Sequence, residues 1–167
     1  ESTENAINEA LKYCGSDAKL GDGLGATETW ASMMINNGKI HHSGTVGEPI
    51  STLEVKLVDS DTGKEVKDGE KGLLYVSGPS VMIGYHNNPE ETEKVLKVHS
   101  DGKTWIHTKD IGYMDEDGNL FHVDRIKNIF MRTGFNVHPS KIAEFLDSIY
   151  FVRNSAVIGF EHPQEQS

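Results

Sequence analysis

Short apolar runs separated by turn residues dominate the middle of this chain. Glu54-Val55-Lys56-Leu57-Val58 alternates polar and apolar positions, and Leu73-Leu74-Tyr75-Val76 is a compact apolar run. Each predicts a strand. Asp59-Ser60-Asp61-Thr62-Gly63 and Asp68-Gly69-Glu70-Lys71-Gly72 between them read as turns. Strands spaced by turn signals in this way, from Gly47 to Gly78, predict an antiparallel sandwich or barrel. Met114 to His122, between the stretches Trp105–Tyr113 and Asp124–Lys127, reads as a β-hairpin around Asp117-Gly118-Asn119, where positive φ is expected. That hairpin brings Asp110 and Arg125 toward one end of a sheet in the expected fold.

Helical periodicity is confined to three places. Asn5 to Cys14 carries apolar residues at helical spacing, with Gly15 as the expected C-cap. Asn88-Pro89-Glu90-Glu91-Thr92 has the composition of a helix start: a capping Asn, a Pro at the first position and acidic residues in the first turn. Pro139 to Leu146 predicts a capped amphipathic helix. Near the N-terminus, Ala18-Lys19-Leu20 predicts a short strand, Gly21, Gly23 and Gly25 a glycine turn, and Thr27 to Met34 a short helix. A strand, a glycine turn and a helix start would present free N–H groups to a phosphate. Phe151 to Phe160 predicts a buried strand.

Composition narrows the class. The chain has 167 residues, 36% of them apolar, and a mean hydropathy of -0.48. No run approaches the 18 apolar residues of a membrane-spanning helix. The chain opens Glu1-Ser2-Thr3-Glu4 with no apolar stretch, so a signal peptide is not expected. A single cysteine, Cys14, fits a reducing, cytoplasmic setting. The net charge of -10 argues against nucleic acid as a partner. Yet Arg125, Lys127, Arg132 and Lys141 fall in a stretch, Arg125 to Ala143, free of Asp and Glu, which suits a small polyanion. The glycine turn lacks both the Gly-Lys-Ser/Thr ending of a Walker loop and the third glycine of a dinucleotide fingerprint. His41-His42 has no further ligand at a metal spacing and reads as surface loop. Asp59-Ser60-Asp61 and Asp115-Glu116-Asp117 lack the later Glu of a calcium loop.

Four motifs recur in order: Gly23-Leu24-Gly25-Ala26-Thr27-Glu28-Thr29, then Gly72 to Pro79 with Gly84-Tyr85-His86-Asn87-Asn88-Pro89-Glu90-Glu91-Thr92, then His107-Thr108-Lys109-Asp110 with Asp124-Arg125-Ile126-Lys127, and finally Arg132 to Pro139. The set resembles the adenylate-forming superfamily of acyl-CoA synthetases, peptide-synthetase adenylation domains and beetle luciferases. The Gly84 to Pro89 and Val137-His138-Pro139 stretches are more similar to the acyl-CoA synthetase branch.

The resemblance implies an α+β fold: a short α/β segment, an antiparallel β-barrel-like subdomain, and the start of a small α+β C-terminal domain. It implies a large-domain portion over residues 1–126 and a hinge with the start of the small domain over 127–167. It implies nucleotide contacts from Gly23, Leu24, Gly25, Ala26 and Thr27, with Thr27 on the AMP phosphate and Glu28 on magnesium. Asp110 would bind both ribose hydroxyls, and Arg125 ribose or phosphate. Lys127 would be the hinge, and Gly134 would line the path of CoA. Lys109 stands where the family has glycine, and Leu24 where it commonly has Tyr. The loop that cradles the ATP phosphates and the adenylation lysine have no counterpart here, so the expectation is a fragment of an AMP-forming acid–CoA ligase using ATP, magnesium, CoA and a carboxylic acid. A stand-alone β module that binds a nucleotide or a partner without catalysis is the alternative.

Overall fold

A computed structural model describes residues 2–36, 44–132 and 135–160. The chain is α+β and falls into two compact units, Glu1–Val123 and Asp124–Ser167. In the first unit, α1 (Ser2–Tyr13) closes as expected. Gly15, at φ 76°, ends it in a Schellman motif, with Gly15 N–H donating to Lys12 and Ser16 N–H to Leu11.

Two sheets follow. The smaller has the order β1 (Gly23–Ala26), β2 (Ala31–Ile35), β3 (Glu48–Pro49), all antiparallel. The larger holds β4 (Glu54–Val58), β5 (Gly72–Ser77), β6 (Leu96–Val98), β7 (Thr104–Met114) and β8 (Leu120–Arg125). Its order is β4-β5-β7-β6, with β8 also pairing to β7. Met33 and Met34 of β2 pack in one core with Leu57, Leu74, Val76, Ile106 and Leu120 of the larger sheet. Thr45 Oγ1 and the Val46 N–H both donate to the Leu120 carbonyl, and Leu120 N–H donates to Gly47, stitching that loop to β8.

Turn chemistry behaves as its sequence predicts. Asp59 Oδ1 accepts from Asp61 and Thr62 N–H and from the Thr62 hydroxyl, and Gly63 takes φ 69°. Asn88 Oδ1 caps α2 (Pro89–Val95) through Glu91 N–H at 3.3 Å. The β7–β8 turn is held by Asp115, whose carboxylate accepts from the Asp117 and Asn119 backbone and the Asn119 amide. Only Gly118 of the expected Asp117-Gly118-Asn119 set has positive φ.

Several expectations are corrected. Ala18 to Leu20 forms no regular element, and the glycines Gly23 and Gly25 lie in β1 rather than in a turn. Thr27 to Met34 is not a helix. One 3-10 turn, Thr27–Thr29, is broken by Trp30 at φ 60° and Ala31 at φ 90°, and β2 follows. Burial decides this: Met33 and Met34 are 0% and 1% exposed only because β2 pairs with β1 and β3 against the core. The larger sheet is open, not a closed barrel, among the described residues.

The second unit contains a 3-10 turn at Ile126–Asn128, a two-stranded ladder of β9 (Phe130–Arg132) and β10 (Phe135–Val137), and α3 (Pro139–Asp147). Phe151 to Phe160 forms no strand. No ladder among the described residues takes it, and Phe151 and Phe160 are 85% and 76% exposed.

Candidate functional site

The centre of the first unit's candidate site is a bulge in β7. Leu73 faces Ile111 and Tyr75 faces His107, so a two-residue step on β5 meets a four-residue step on β7. The excess is taken up at Thr108-Lys109-Asp110. Lys109 adopts φ 67°, the left-handed region that a glycine adopts without strain. Thr108 closes the bulge. Its hydroxyl donates to the Leu74 carbonyl at 3.1 Å and accepts from Asp110 N–H at 3.1 Å. A threonine, a left-handed residue and an aspartate in that order therefore take the Asp110 N–H to the Thr108 hydroxyl and leave this stretch without a partner on β5.

Asp110 is 3% exposed, and its Oδ1 lies 3.3 Å from His122 Nε2 on β8. A buried carboxylate is costly unless donors meet it. Beside it, His107 stacks on Tyr75 at 4.9 Å between ring centroids. Burial first, and then the Lys109 charge, holds its imidazole below the usual range.

The second feature is an open cleft of about 720 Å³ lined by Gly23 to Thr27 and Trp30 to Ser32. Gly25 has no room for a side chain. A Cβ there would stand 1.6 Å from the Ala31 carbonyl oxygen. The backbone of β1 thus approaches β2 at the bulge between Leu24 and Gly25. The Thr27 side chain is exposed. Next to it, Glu28 Oε1 accepts from the Tyr85 hydroxyl at 2.8 Å, and the Glu28 carbonyl accepts from Met82 N–H. Burial, then the hydrogen bond to Glu28, pushes the Tyr85 phenol up to about 12.

The described residues contain no cluster of three or more His, Cys, Asp or Glu side chains able to hold a metal. A lone carboxylate suits magnesium that arrives with phosphate oxygens and water, and does not suit a resident metal cage. Glu28 fits that donor set, with one oxygen engaged by a neutral hydroxyl and no ion-pair partner among the described residues.

In the second unit, Arg125 and Lys127 flank the start of the 3-10 turn. The hub there is Asp124, which the sequence reading left without a role. Asp124 is 2% exposed. Its Oδ1 accepts from Arg125 N–H at 2.8 Å and from the Asn128 amide at 3.2 Å, and its Oδ2 accepts from Ser140 Oγ at 2.7 Å. His138 Nδ1 stands 3.9 Å away. Burial pushes the carboxyl up, but the Ser140, Arg125 and Asn128 hydrogen bonds, with the His138 charge, outweigh it and hold Asp124 below the usual carboxylate range. Gly134 and His41-His42 lie outside the described residues.

Tyr85, His122 and Asp124 escaped the sequence reading as site residues. Tyr85 and Asp124 sat inside quoted motifs, so a signal existed. His122 had none, because its partner is set by strand pairing.

The profile of the family described as AMP-binding enzyme matches residues 2–86. A long-chain-fatty-acid–CoA ligase of Salmonella typhimurium is 42% identical over 139 residues, covering 83% of this chain and 24% of that protein. A luciferin 4-monooxygenase of Luciola mingrelica is 36% identical over 141 residues, covering 84% of this chain and 25% of that protein. Among solved structures, ATP-bound MatB from Rhodopseudomonas palustris superposes with a TM-score of 0.78 at 32% identity, covering 89% of this chain and 29% of that one. The o-succinylbenzoate CoA synthetase of Bacillus subtilis in complex with AMP gives 0.74 at 26% identity, covering 95% and 31%. The chain spans about a quarter of the length of the curated relatives it matches. With the family profile covering about half of it and these relatives covering most of it, the chain belongs to the AMP-binding, adenylate-forming enzyme family.

Proposed function

We propose that this chain is part of an AMP-forming acid–CoA ligase. In that reaction a carboxylate oxygen attacks the α-phosphorus of ATP, pyrophosphate leaves, and the CoA thiol then displaces AMP from the acyl-adenylate. The long-chain-fatty-acid–CoA ligase relative supports the choice of reaction. No enzyme nucleophile is required. Positioning and charge stabilisation carry the chemistry.

The observation that carries this reading is the Asp110 carboxylate, 3% exposed, in the stretch of β7 that the register shift leaves without a partner on β5, 3.3 Å from His122. A carboxylate so placed accepts from the two vicinal hydroxyls of a ribose, with His122 fixing one of its oxygens. Gly23, Leu24, Gly25 and Ala26, which line the cleft, and the Thr27 hydroxyl would meet the nucleotide, Thr27 at the phosphate. Glu28 would hold magnesium, which when bound offsets the negative charge of the phosphates. Arg125 would donate to ribose or phosphate, Lys127 would serve as the pivot, and Gly134 would border the CoA path. A cytoplasmic location fits this chemistry.

The test is Asp110→Ala in the ligase that carries this chain. Loss of a charged acceptor to hydroxyl donors costs about 1.5–3 kcal/mol, so ATP affinity by calorimetry should fall roughly tenfold to a hundredfold. Unchanged ATP affinity in a folded variant would remove the ribose assignment.

A further inference from the structure

The Gly84 to Thr92 motif has no part in the reading above, yet its geometry is closely specified. Tyr85 N–H donates to Thr92 Oγ1 at 2.9 Å, and Thr92 Oγ1 donates to the Asn88 carbonyl at 2.8 Å. Asn88 in turn caps α2. Gly84 sits at φ 153°, and a Cβ there would lie 3.1 Å from the Thr92 methyl. Asn87 takes φ 51°. The loop is thereby tied to the first turn of α2, and Tyr85 projects from it to a carboxylate 57 positions upstream, Glu28 Oε1 at 2.8 Å.

Holding the backbones together does not require that contact, because Met82 N–H already bonds the Glu28 carbonyl at 2.8 Å. The Tyr85 hydroxyl adds something different: it fixes the side-chain carboxylate. The choice of donor matters. A lysine or arginine at this point would orient the carboxylate and also cancel its charge. A neutral phenol orients it and leaves the negative charge available to a cation.

We propose that Tyr85 is a positioning residue, which holds the Glu28 carboxylate ready for the magnesium that accompanies a nucleotide triphosphate. The Gly84–Thr92 loop is the scaffold that aims it. The proposal rests on Glu28 being the magnesium carboxylate, and the test separates the two claims.

ATP binding to the ligase that carries this chain is measured by calorimetry, once with magnesium and once with EDTA, for the wild type, Tyr85→Phe, Thr92→Val, Glu28→Gln and the Glu28→Gln/Tyr85→Phe double variant. The quantity read is the gain in ATP affinity that magnesium confers. Glu28→Gln should abolish most of that gain. Tyr85→Phe should cut it by about tenfold, the lower end for loss of a partner that orients a metal ligand, since the pair is partly exposed. Affinity in EDTA should stay unchanged. Thr92→Val, which loosens the scaffold and keeps the phenol, should give a smaller loss of the same kind. The double variant should be no worse than Glu28→Gln alone. A full magnesium gain in Tyr85→Phe beside a lost one in Glu28→Gln overturns the positioning role and leaves the magnesium carboxylate standing. A full gain in both overturns the magnesium carboxylate and the positioning role with it. Equal weakening with magnesium and with EDTA, in both Tyr85→Phe and Thr92→Val, makes Tyr85 purely architectural and also refutes the proposal.

Discussion

Lys109→Gly should make the protein more stable, although it removes a side chain and a charge. Lys109 is held at φ 67° in the β7 bulge next to Asp110. An L-residue in the left-handed region costs about 1–2 kcal/mol. Glycine escapes that cost but loses more chain freedom on folding, roughly 0.5–1 kcal/mol relative to alanine. The difference favours glycine by about 0.5–1 kcal/mol, and for a chain of this size that is a rise of roughly 1–4 °C in Tm. The exposed lysine makes no hydrogen bond that would offset the gain among the described residues. Its charge disfavours the His107 imidazolium and favours the Glu91 carboxylate. Lys109→Ala is the control, since it removes the same charge and keeps the Cβ that makes φ 67° costly. Urea unfolding of the wild type and both variants gives the ranking, with glycine expected above both lysine and alanine. If glycine and alanine unfold at the same urea concentration, the bulge backbone is not strained and the reasoning fails.

Two further outcomes follow from the geometry. Gly25→Ala places a Cβ 1.6 Å from the Ala31 carbonyl oxygen, so β1 and β2 must part; a loss of about 3 kcal/mol or more is expected in urea unfolding, and a wild-type midpoint would show that the strands do not approach this closely. Asp124 has a folded pKa below its unfolded one, so its stabilisation is present above the ordinary aspartate value of 3.8 and is lost as pH falls below that toward the folded pKa. Asp124→Asn should therefore flatten the acid limb of the stability–pH profile in that window, and an unchanged limb would refute the linkage.

The parts of this molecule legible in the sequence are those set by neighbours along the chain. The Schellman end of α1 at Gly15, the Asn88-Pro89 start of α2, the Asp59 and Asp115 turns and the alternating β4 all depend on interactions within a few residues. They were therefore written in residue type and spacing. The motif order is legible too, and it points to Asp110, Thr27 and Glu28 as candidates.

What the sequence misreported was decided by partners far along the chain. Thr27 to Met34 looked helical, but two methionines gain more by burial in β2 against the larger sheet than the segment gains from helix propensity. Phe151 to Phe160 had a strand's composition and no ladder to join among the described residues. The site shows the same division. That Asp110 is chemically suited to hydroxyl donors follows from its being an aspartate. That it is buried, outside the β5 pairing and met by His122 follows from a register mismatch between β5 and β7 and from the pairing of β7 with β8. Local propensity acts over a turn or two, whereas register and burial are summed over whole sheets, so only the assembled fold could supply them.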